Sequence, residues 1–589
     1  MRLAQPVITR LKPLVLIVGL TALCLSVTCL PVTATAAAPA VLRVGSWHGK
    51  AGSYTSVQAA VRAAKPGDWV LVGPGDYKEN GYPGMKETAG VLITTPRVHL
   101  RGMDRNAVVI DGTVPGSAKC SAREADQRIT KDGHNGVVAF GADGISIENL
   151  TACNYLTGTD GGEGNEIWFN GGDGTGHVGM GPFSGDYITG TSTYSKGTSN
   201  PRGEYGIFTS NSRGPGLIDH SYASNMGDSA YYIGACPDCN QVLRHAHGEF
   251  SALGYSGTNS GGRLIIEDSE FDNNKTGATT NSQNNDDAPS PQNGACPSGA
   301  QSPTGNGICN VWRNNSFHDN NNPNVPGVGE GLAGGAPVGT GLVFAGTENV
   351  AASHNRFANN GGWGIVVTDL PDQESPPTDI GQNCQGGTYT IPPGTPGQDP
   401  LCYYPAFGNA VMDNVFEHNG SFGNPTNGDI VLFHAPAFDP VGAPGNCVSG
   451  NTDSAGVTSD PPQVQSLPTY SDCASRSPNA GNPNPLVAAQ LNCAGGILAS
   501  CPNAPGATYP RTTTVSLHLP PAQLSMPNPC AGVPTNPWCP KSVAVKPPGK
   551  TGGGILAGTG LNAPLAVLGL SVLGLTLGLV TTRRRKVPR

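Results

Sequence analysis

Short apolar runs closed by turn residues set the pattern of this chain. Residues 91–93, 98–100 and 108–110 are such runs, each closed within two residues by Gly, Asp or Thr, and they read as strands. Further along, one nine-residue pattern recurs: apolar, x, two Asn-like positions, x, aromatic, x, x, Asn. It spans 217–225 with Tyr222, 266–274 with Phe271, 312–320 with Phe317, 352–360 with Phe357 and 411–419 with Phe416. A degenerate copy carries His247 in the aromatic place. The aromatic positions are separated by 25, 24 and then 46 residues, twice 23. A constant period near 24 means a solenoid in which three short strands and their turns make one coil. The aromatic is then expected at one interior level of every coil. The Asn residues suit left-handed corners and can ladder between coils, which makes both residue types structural.

The N-terminal segment reads differently. Arg2, Arg10 and Lys12 precede an apolar run over 14–30, followed by Ala34, Ala36, Ala37 and Ala38, so residues 1–38 are expected to be a secretory signal peptide. Next, Thr55, Ser56, Val57 and Gln58 form a capping-box pattern. A helix to Ala64 would place Val57, Ala60, Val61 and Ala64 on one face. Pro66-Gly67-Asp68 ends it, Trp69–Val72 is a strand, and Gly73-Pro74-Gly75 is the next turn.

This helix, strand and turn resemble the N-terminal cap of pectate-lyase-like proteins, where an amphipathic helix covers the open end of a right-handed parallel β-helix. The resemblance and the period together imply an all-β fold, a right-handed parallel β-helix solenoid over 39–436 with a short capping helix. The period breaks at about 158–202, 281–307, 320–340 and 369–409, where insertions are expected to form loops that shape a binding face.

Past Leu432 the pattern fades. Residues 437–545 are rich in Cys and Pro and read as a disulfide-tied covering on the last coils, and 546–560 as a linker whose 547–554 part is a stalk. Residues 561–582 are apolar enough for a transmembrane helix across a ~30 Å hydrocarbon layer. Arg583, Arg584, Arg585 and Lys586 in the tail 583–589 would then be cytoplasmic. Just upstream, Leu556, Ala557, Gly558, Thr559 and Gly560 resemble the LAxTG sorting signal of Gram-positive wall proteins. That resemblance implies a sortase that cleaves between Thr559 and Gly560 and joins Thr559 to peptidoglycan. A retained membrane anchor is the alternative. Either way the chain is expected at the cell surface.

Composition agrees with an elongated repeat. Gly, at 84 of 589 residues, is about twice average usage and charged residues, at 13%, about half of it. Leaving out Cys24 and Cys29 of the signal, fourteen cysteines remain, an even number that argues for disulfides in an exported chain. Neighbours in sequence suggest Cys120–Cys153, Cys236–Cys239, Cys296–Cys309, Cys384–Cys402, Cys447–Cys473, Cys493–Cys501 and Cys530–Cys539. The net charge of −8 leaves no basic face for nucleic acid.

Pectate-lyase-like folds include uronate lyases, hydrolases, esterases and epimerases as well as adhesins, so chemistry must come from a site. The one dense polar belt lies within 202–287: Arg202, Glu204, His220, Asp228, Arg244, His245, His247, Glu249, Arg263 and Asp268. At this period His220 and His245 would stack, either as a site or as substitutes for Asn at turn positions. Asn284-Asn285-Asp286-Asp287 resembles the paired aspartates of polygalacturonase-like hydrolases, but no Asn-Thr-Asp precedes it and no Gly-His-Gly or Arg-Ile-Lys follows. Arg244, His245, His247, Asp286 and Asp287 are therefore the catalytic candidates. No cofactor is identified; the pattern suggests Ca²⁺ on the Asp286-Asp287 loop, and Cys236-Pro-Asp-Cys239 as half a zinc site or a redox pair is the alternative to a structural disulfide, without a second CxxC to support it. Trp168 and His177 lie in a Gly-rich insertion where an aromatic could stack on a sugar. The expected function is a cell-surface β-helix that binds glycan or matrix or serves structurally. The alternative is a polysaccharide lyase, epimerase or glycoside hydrolase.

Overall fold

The computed structural model describes residues 38–540, apart from 174–176, 284–290, 298–306, 328–334, 373–387, 390–400, 479–480, 497–500 and 502–503. The signal peptide, the sorting motif, the apolar span 561–582 and the basic tail lie outside the described residues, as do Asp286, Asp287 and Cys384. Among the described residues no helix is long and apolar enough to cross a membrane.

Three long parallel sheets wrap one interior. Sheet 1 has twelve strands, from Val41–Val44 to Cys447–Ser449. Sheet 2 has eleven, from Gly75–Tyr77 to Thr452–Asp453, and sheet 3 eleven, from Ala89–Ile93 to Ser459–Asp460. Each coil contributes one strand to each sheet, giving eleven coils from Trp69 to Asp460. Coil 5, for example, is Gly216–Asp219, Tyr222–Ser224 and Ser229–Gly234. Coiling thus continues beyond residue 436, where the repeat pattern had faded.

Phe271, Phe317, Phe357 and Phe416 stack through the interior with ring centroids 5.3, 5.0 and 5.1 Å apart. The Asn doublets divide their labour. The first residue takes the left-handed corner, as at Asn314 (φ 57), and the second ladders. Asn315, Asn355, Asn414 and Asn451 pass side-chain amide hydrogen bonds of 2.9–3.0 Å from coil to coil. A second ladder runs Asn274, Asn320, Asn360, Asn419 at 3.1–3.2 Å. The Phe stack needs room, and Gly364 supplies it: a Cβ there would come within 2.8 Å of the Phe416 ring and 2.7 Å of the Asp429 carbonyl.

Three expectations are corrected. Tyr222 and His247 are out of phase with this stack, because Ala223 and Gly248 are the residues in register with Phe271. Tyr222 and His247 sit one residue earlier and face outward. Residues 158–202 are not one insertion but carry strands Asn165–Asn170, Phe183–Asp186 and Thr189–Thr191 between longer loops. Gly190 occupies the aromatic level there, so the pattern was invisible. At the cap, the helix is Val57–Ala63 with Ser56, not Thr55, as N-cap, its side chain accepting from Ala59 N at 3.2 Å. Gln58 turns inward to accept from Leu92 N at 2.6 Å, and Glu79 accepts from Val57 N instead.

The disulfides Cys120–Cys153, Cys236–Cys239, Cys296–Cys309, Cys447–Cys473, Cys493–Cys501 and Cys530–Cys539 are present. Cys402 is also disulfide-bonded.

The Cys/Pro-rich region does more than cover the last coils. The helix Pro485–Ala494 packs Val487 and Ala488 on Val343, Val366 and Val431 of sheet 3. From Thr508 the chain then runs back along the solenoid as an extended strap. Asn side chains hold it by its backbone: Asn424 at Thr508, Asn225 at His518 and Asn106 at Gln523 each donate to a carbonyl and accept from an N–H. The strap ends with Val533, Trp538 and Cys539 packed on Trp69, Leu71 and Met103 of the first coils. Trp538 Nε1 donates to the Lys50 carbonyl at 2.9 Å.

Candidate functional site

The polar belt wraps the corner between sheets 1 and 2. Asp186, Asp219, Arg244 and Glu267 end successive sheet 1 strands in one register row. The next residue of each coil is the corner, in the left-handed region: Tyr187 (φ 52), His220 (φ 46), His245 (φ 47) and Asp268 (φ 50). These occupy the place that Asn149 and Asn314 hold elsewhere, so the turn reading of His220, His245 and Asp268 is correct about their backbone. Their side chains nonetheless converge. The Tyr187 and His220 rings stack at 4.6 Å, and the His220 and His245 rings at 4.7 Å.

Asp219 is the hub. Its Oδ2 accepts from Arg244 Nε at 2.7 Å, and its Oδ1 lies 2.8 Å from His245 Nδ1 and 2.9 Å from His220 Nδ1. Burial disfavours this carboxylate, but the bonds from His245 and Arg244 outweigh it and hold the pKa below the usual range. Asp186, the next carboxyl along, is pushed up to about 7 by burial and then by Asp219.

His247 does not join this group. It faces outward from sheet 2, with Nε2 2.7 Å from Asp272 Oδ1. Beside it Tyr222 donates to Glu249 at 2.6 Å, and His318 lies 2.9 Å from Glu270 and 2.8 Å from Asp319. The bond to Glu270 leads in raising His318 to about 9 against the cost of burial. Among the described residues, and leaving aside Asp111 with the disulfide-bonded Cys120 and Cys153, two triads could hold a metal, Asp219 with His220 and His245, and His247 with Glu270 and Asp272. Their imidazoles do not suit Ca²⁺, which takes oxygen ligands.

Other candidates are occupied structurally. Arg202 and Glu204 form a buried pair at 3.0 Å, and Arg263 is paired with Asp238 at 2.9 Å. Trp168 packs face to face with Phe208 at 5.0 Å and donates to Ser210. His177 is exposed.

A second place was not legible in the sequence. A depression of about 610 Å³ on the first coils is lined by Tyr82, Met85, Thr130, Asp132 and His134. Against its Gly133 lies Glu163, hydrogen-bonded by Asn135. Burial and then the nearby Glu87 raise the Glu163 carboxyl to about 7. No repeat position marks Glu163. Only its place in a Gly-rich break hints at it.

No family model matches this chain, and no curated protein matches it. Among solved structures it is similar to the A-module of the Azotobacter vinelandii mannuronan C-5 epimerase AlgE4, with 12% identity over 68% of this chain and 88% of that one, TM-score 0.35. It is similar to pectate lyase Pel9A, with 11% identity over 64% and 76% of the two chains, TM-score 0.34. A third similar structure is the tailspike protein of E. coli bacteriophage HK620 in complex with a pentasaccharide, with 11% identity over 68% of this chain, TM-score 0.37. The chain spans 60% of that tailspike's length.

Proposed function

We propose that this chain is an exported, surface-displayed parallel β-helix that binds an extracellular glycan along the corner belt without turning it over. One observation carries the reading. The Asp219 carboxylate is already engaged by Arg244, His220 and His245, while the outer edges of these side chains, 40%, 35% and 45% exposed, stand on two adjacent coils, His220 on one and Arg244 with His245 on the next. A coil rise is close to the length of one sugar unit, so successive coils can address successive units with hydrogen bonds and a guanidinium. Export is supported by the disulfides.

Attachment through Thr559 to the wall, or through 561–582 to the membrane, remains part of the proposal. The strap brings Trp538 and Cys539 beside the first coils, which supports a tether that begins at that end. The full chain should be retarded in gels containing uronic-acid polymers and release neither unsaturated product nor reducing ends. Product formation at the belt would overturn the non-catalytic reading, and absence of retardation on every polymer would overturn glycan binding.

The depression beside Glu163 favours the second reading, a carbohydrate-active enzyme with Glu163 as proton donor. Glu163, raised to about 7, lies near Glu87, which burial also raises, and a carboxyl that keeps its proton near neutrality can donate it. Product formation that disappears in Glu163→Gln would establish it.

A further inference from the structure

Two imidazole nitrogens and two carboxylate oxygens from three successive coils meet at the belt, and one of each has no hydrogen-bond partner. His220 Nδ1 and Asp186 Oδ1 are shielded from solvent and make no hydrogen bond, although they lie 3.5 Å from each other. His220 Nδ1 also lies 2.9 Å from Asp219 Oδ1, and His245 Nδ1 approaches the same oxygen at 2.8 Å. The donor atoms of Asp219, His220 and His245 all fall within 4.8 Å of one another. We propose that Asp219, His220 and His245 form a binding site for a divalent transition-metal ion of the zinc type, with Asp186 as the neighbouring carboxylate beside His220.

The chemistry of the donors selects the ion. Imidazole with carboxylate suits Zn²⁺ and its neighbours, whereas Ca²⁺ and Mg²⁺ prefer oxygen alone. Donors about 2.0–2.2 Å from a tetrahedral ion stand roughly 3.3–3.5 Å apart, the scale of the spacing between His220 and Asp186. Only small side-chain movements are needed to open the two shorter contacts. Arg244 keeps Asp219 Oδ2 occupied at 2.7 Å, which leaves Oδ1 as the ligand and fixes its direction, a familiar role for an outer partner. Both imidazoles are partly exposed, so the ion can enter from solvent.

The triad of His247, Glu270 and Asp272 is weaker. Where the corner leaves His220 Nδ1 and Asp186 Oδ1 without a hydrogen bond, here His247 Nε2 is paired with Asp272 Oδ1 at 2.7 Å and Glu270 Oε1 with His318 Nε2 at 2.9 Å. The corner metal does not depend on glycan binding, and a chain that binds no polysaccharide can still carry it.

The test is direct titration of the untagged, chelator-stripped full chain with Zn²⁺, followed by calorimetry, with thermal unfolding as a second readout. One equivalent should bind and raise Tm. His220→Asn and His245→Asn should each weaken binding by more than about tenfold, since each removes a ligand. Asn is the residue the fold itself uses at this corner, so both variants should fold, which their unfolding transitions verify. His247→Ala should bind as the parent does. Zn²⁺ binding that survives both corner substitutions, binding lost on His247→Ala, or an equal Tm response to Ca²⁺ would each overturn the proposal. A Co²⁺-loaded chain should show the absorbance of a low-coordinate nitrogen and oxygen site, and an octahedral aquo-like spectrum would count against it.

Discussion

Coils 7–10 and coils 4–6 use the same scaffold and spend its positions differently. In coils 7–10 the sheet 2 interior level is Phe271, Phe317, Phe357 and Phe416, and the second residue of each sheet 1 to sheet 2 turn beyond coil 7 is a laddered Asn. In coils 4–6 that interior level is Gly190, Ala223 and Gly248. The volume is made up from sheet 3 by the buried Tyr231 and Tyr255. The turns there carry Tyr187, His220 and His245. The backbone asks each corner only for a left-handed residue and each cross-section only for a filled interior. What stands outward at the corner is therefore free to differ, and in coils 4–6 it converges on Asp219.

If that contrast is right, the interior stack is where stability is concentrated. Phe317→Ala removes a fully buried ring flanked on both sides by other rings, and should destabilise by about 3–5 kcal/mol. Denaturant titration measures it. Zn²⁺ and glycan binding at the belt should persist in the folded fraction, because the belt lies on other coils. An effect below about 1 kcal/mol would mean that this stack is not the principal support of the C-terminal coils.

The Asn ladder should come next. Asn355→Ala breaks the bonds to Asn414 and Trp312 and leaves the Asn315 amide and two carbonyl acceptors short of partners in a buried place. About 1–3 kcal/mol should be lost, again by denaturant titration. Asn359→Ala, at an adjacent corner with φ 54, removes no ladder bond and should cost less, through the left-handed backbone alone.

The sequence was most readable where these two devices coincide. Phe and Asn recur at fixed offsets from Ile266 to Asn419, and period, coil content and laddering all followed from them. It was least readable where small residues replaced Phe. Gly190 hid coil 4, and at Ala223 and Gly248 the outward Tyr222 and His247 were mistaken for the interior row by one residue. Strand alternation makes such a slip exchange the two faces. Of the site, Arg244 and His245 were legible as a pair with His220, but Asp186, Asp219 and Tyr187 were not. Their partnership exists only between residues of neighbouring coils, 25 to 34 positions apart. The strap was illegible because its Asn clamps join residues about 80 to 420 positions apart.

The outward face should also show its charge. His318 faces Glu270 and Asp319, with Asp272 nearby, and its pKa is raised to about 9 from 6.5. A histidine raised on folding adds stability that is fully present below pH 6.5 and fades as pH rises through about 9. Stability of the parent should therefore decline over pH 6.5–9. His318→Gln should flatten that part of the profile while lowering stability at pH 6, the difference that thermal unfolding at a series of pH values would read. An unchanged slope would mean that the ring does not hold its proton between these carboxylates.

The smallest effect is expected from exchanging corners between the two regions. Asn314, at φ 57 in coil 8, matches His245 in coil 6 in backbone and position. Asn314→His adds an imidazole beside Arg313, which is itself held by Glu267, and beside His354 at the next corner. Glu267, held by Arg313, stands there as Asp219 does for His245, but the corner beside it is Asp268 and not a second histidine, and the strand end one coil further back is Arg244 and not a counterpart of Asp186. The variant should fold within about 0.5 kcal/mol of the parent, the scale of surface substitutions, and should gain no Zn²⁺ equivalent. His245→Asn should be as mild in stability yet lose the bound ion. If the transplanted imidazole bound Zn²⁺ with Asp268 in place of His220 and Arg244 in place of Asp186, one imidazole beside one carboxylate would suffice and Asp186 in the row would be incidental. Binding that depends on the row places the specificity in the residue before the corner, where the strand ends, and leaves the turn itself as a replaceable mount.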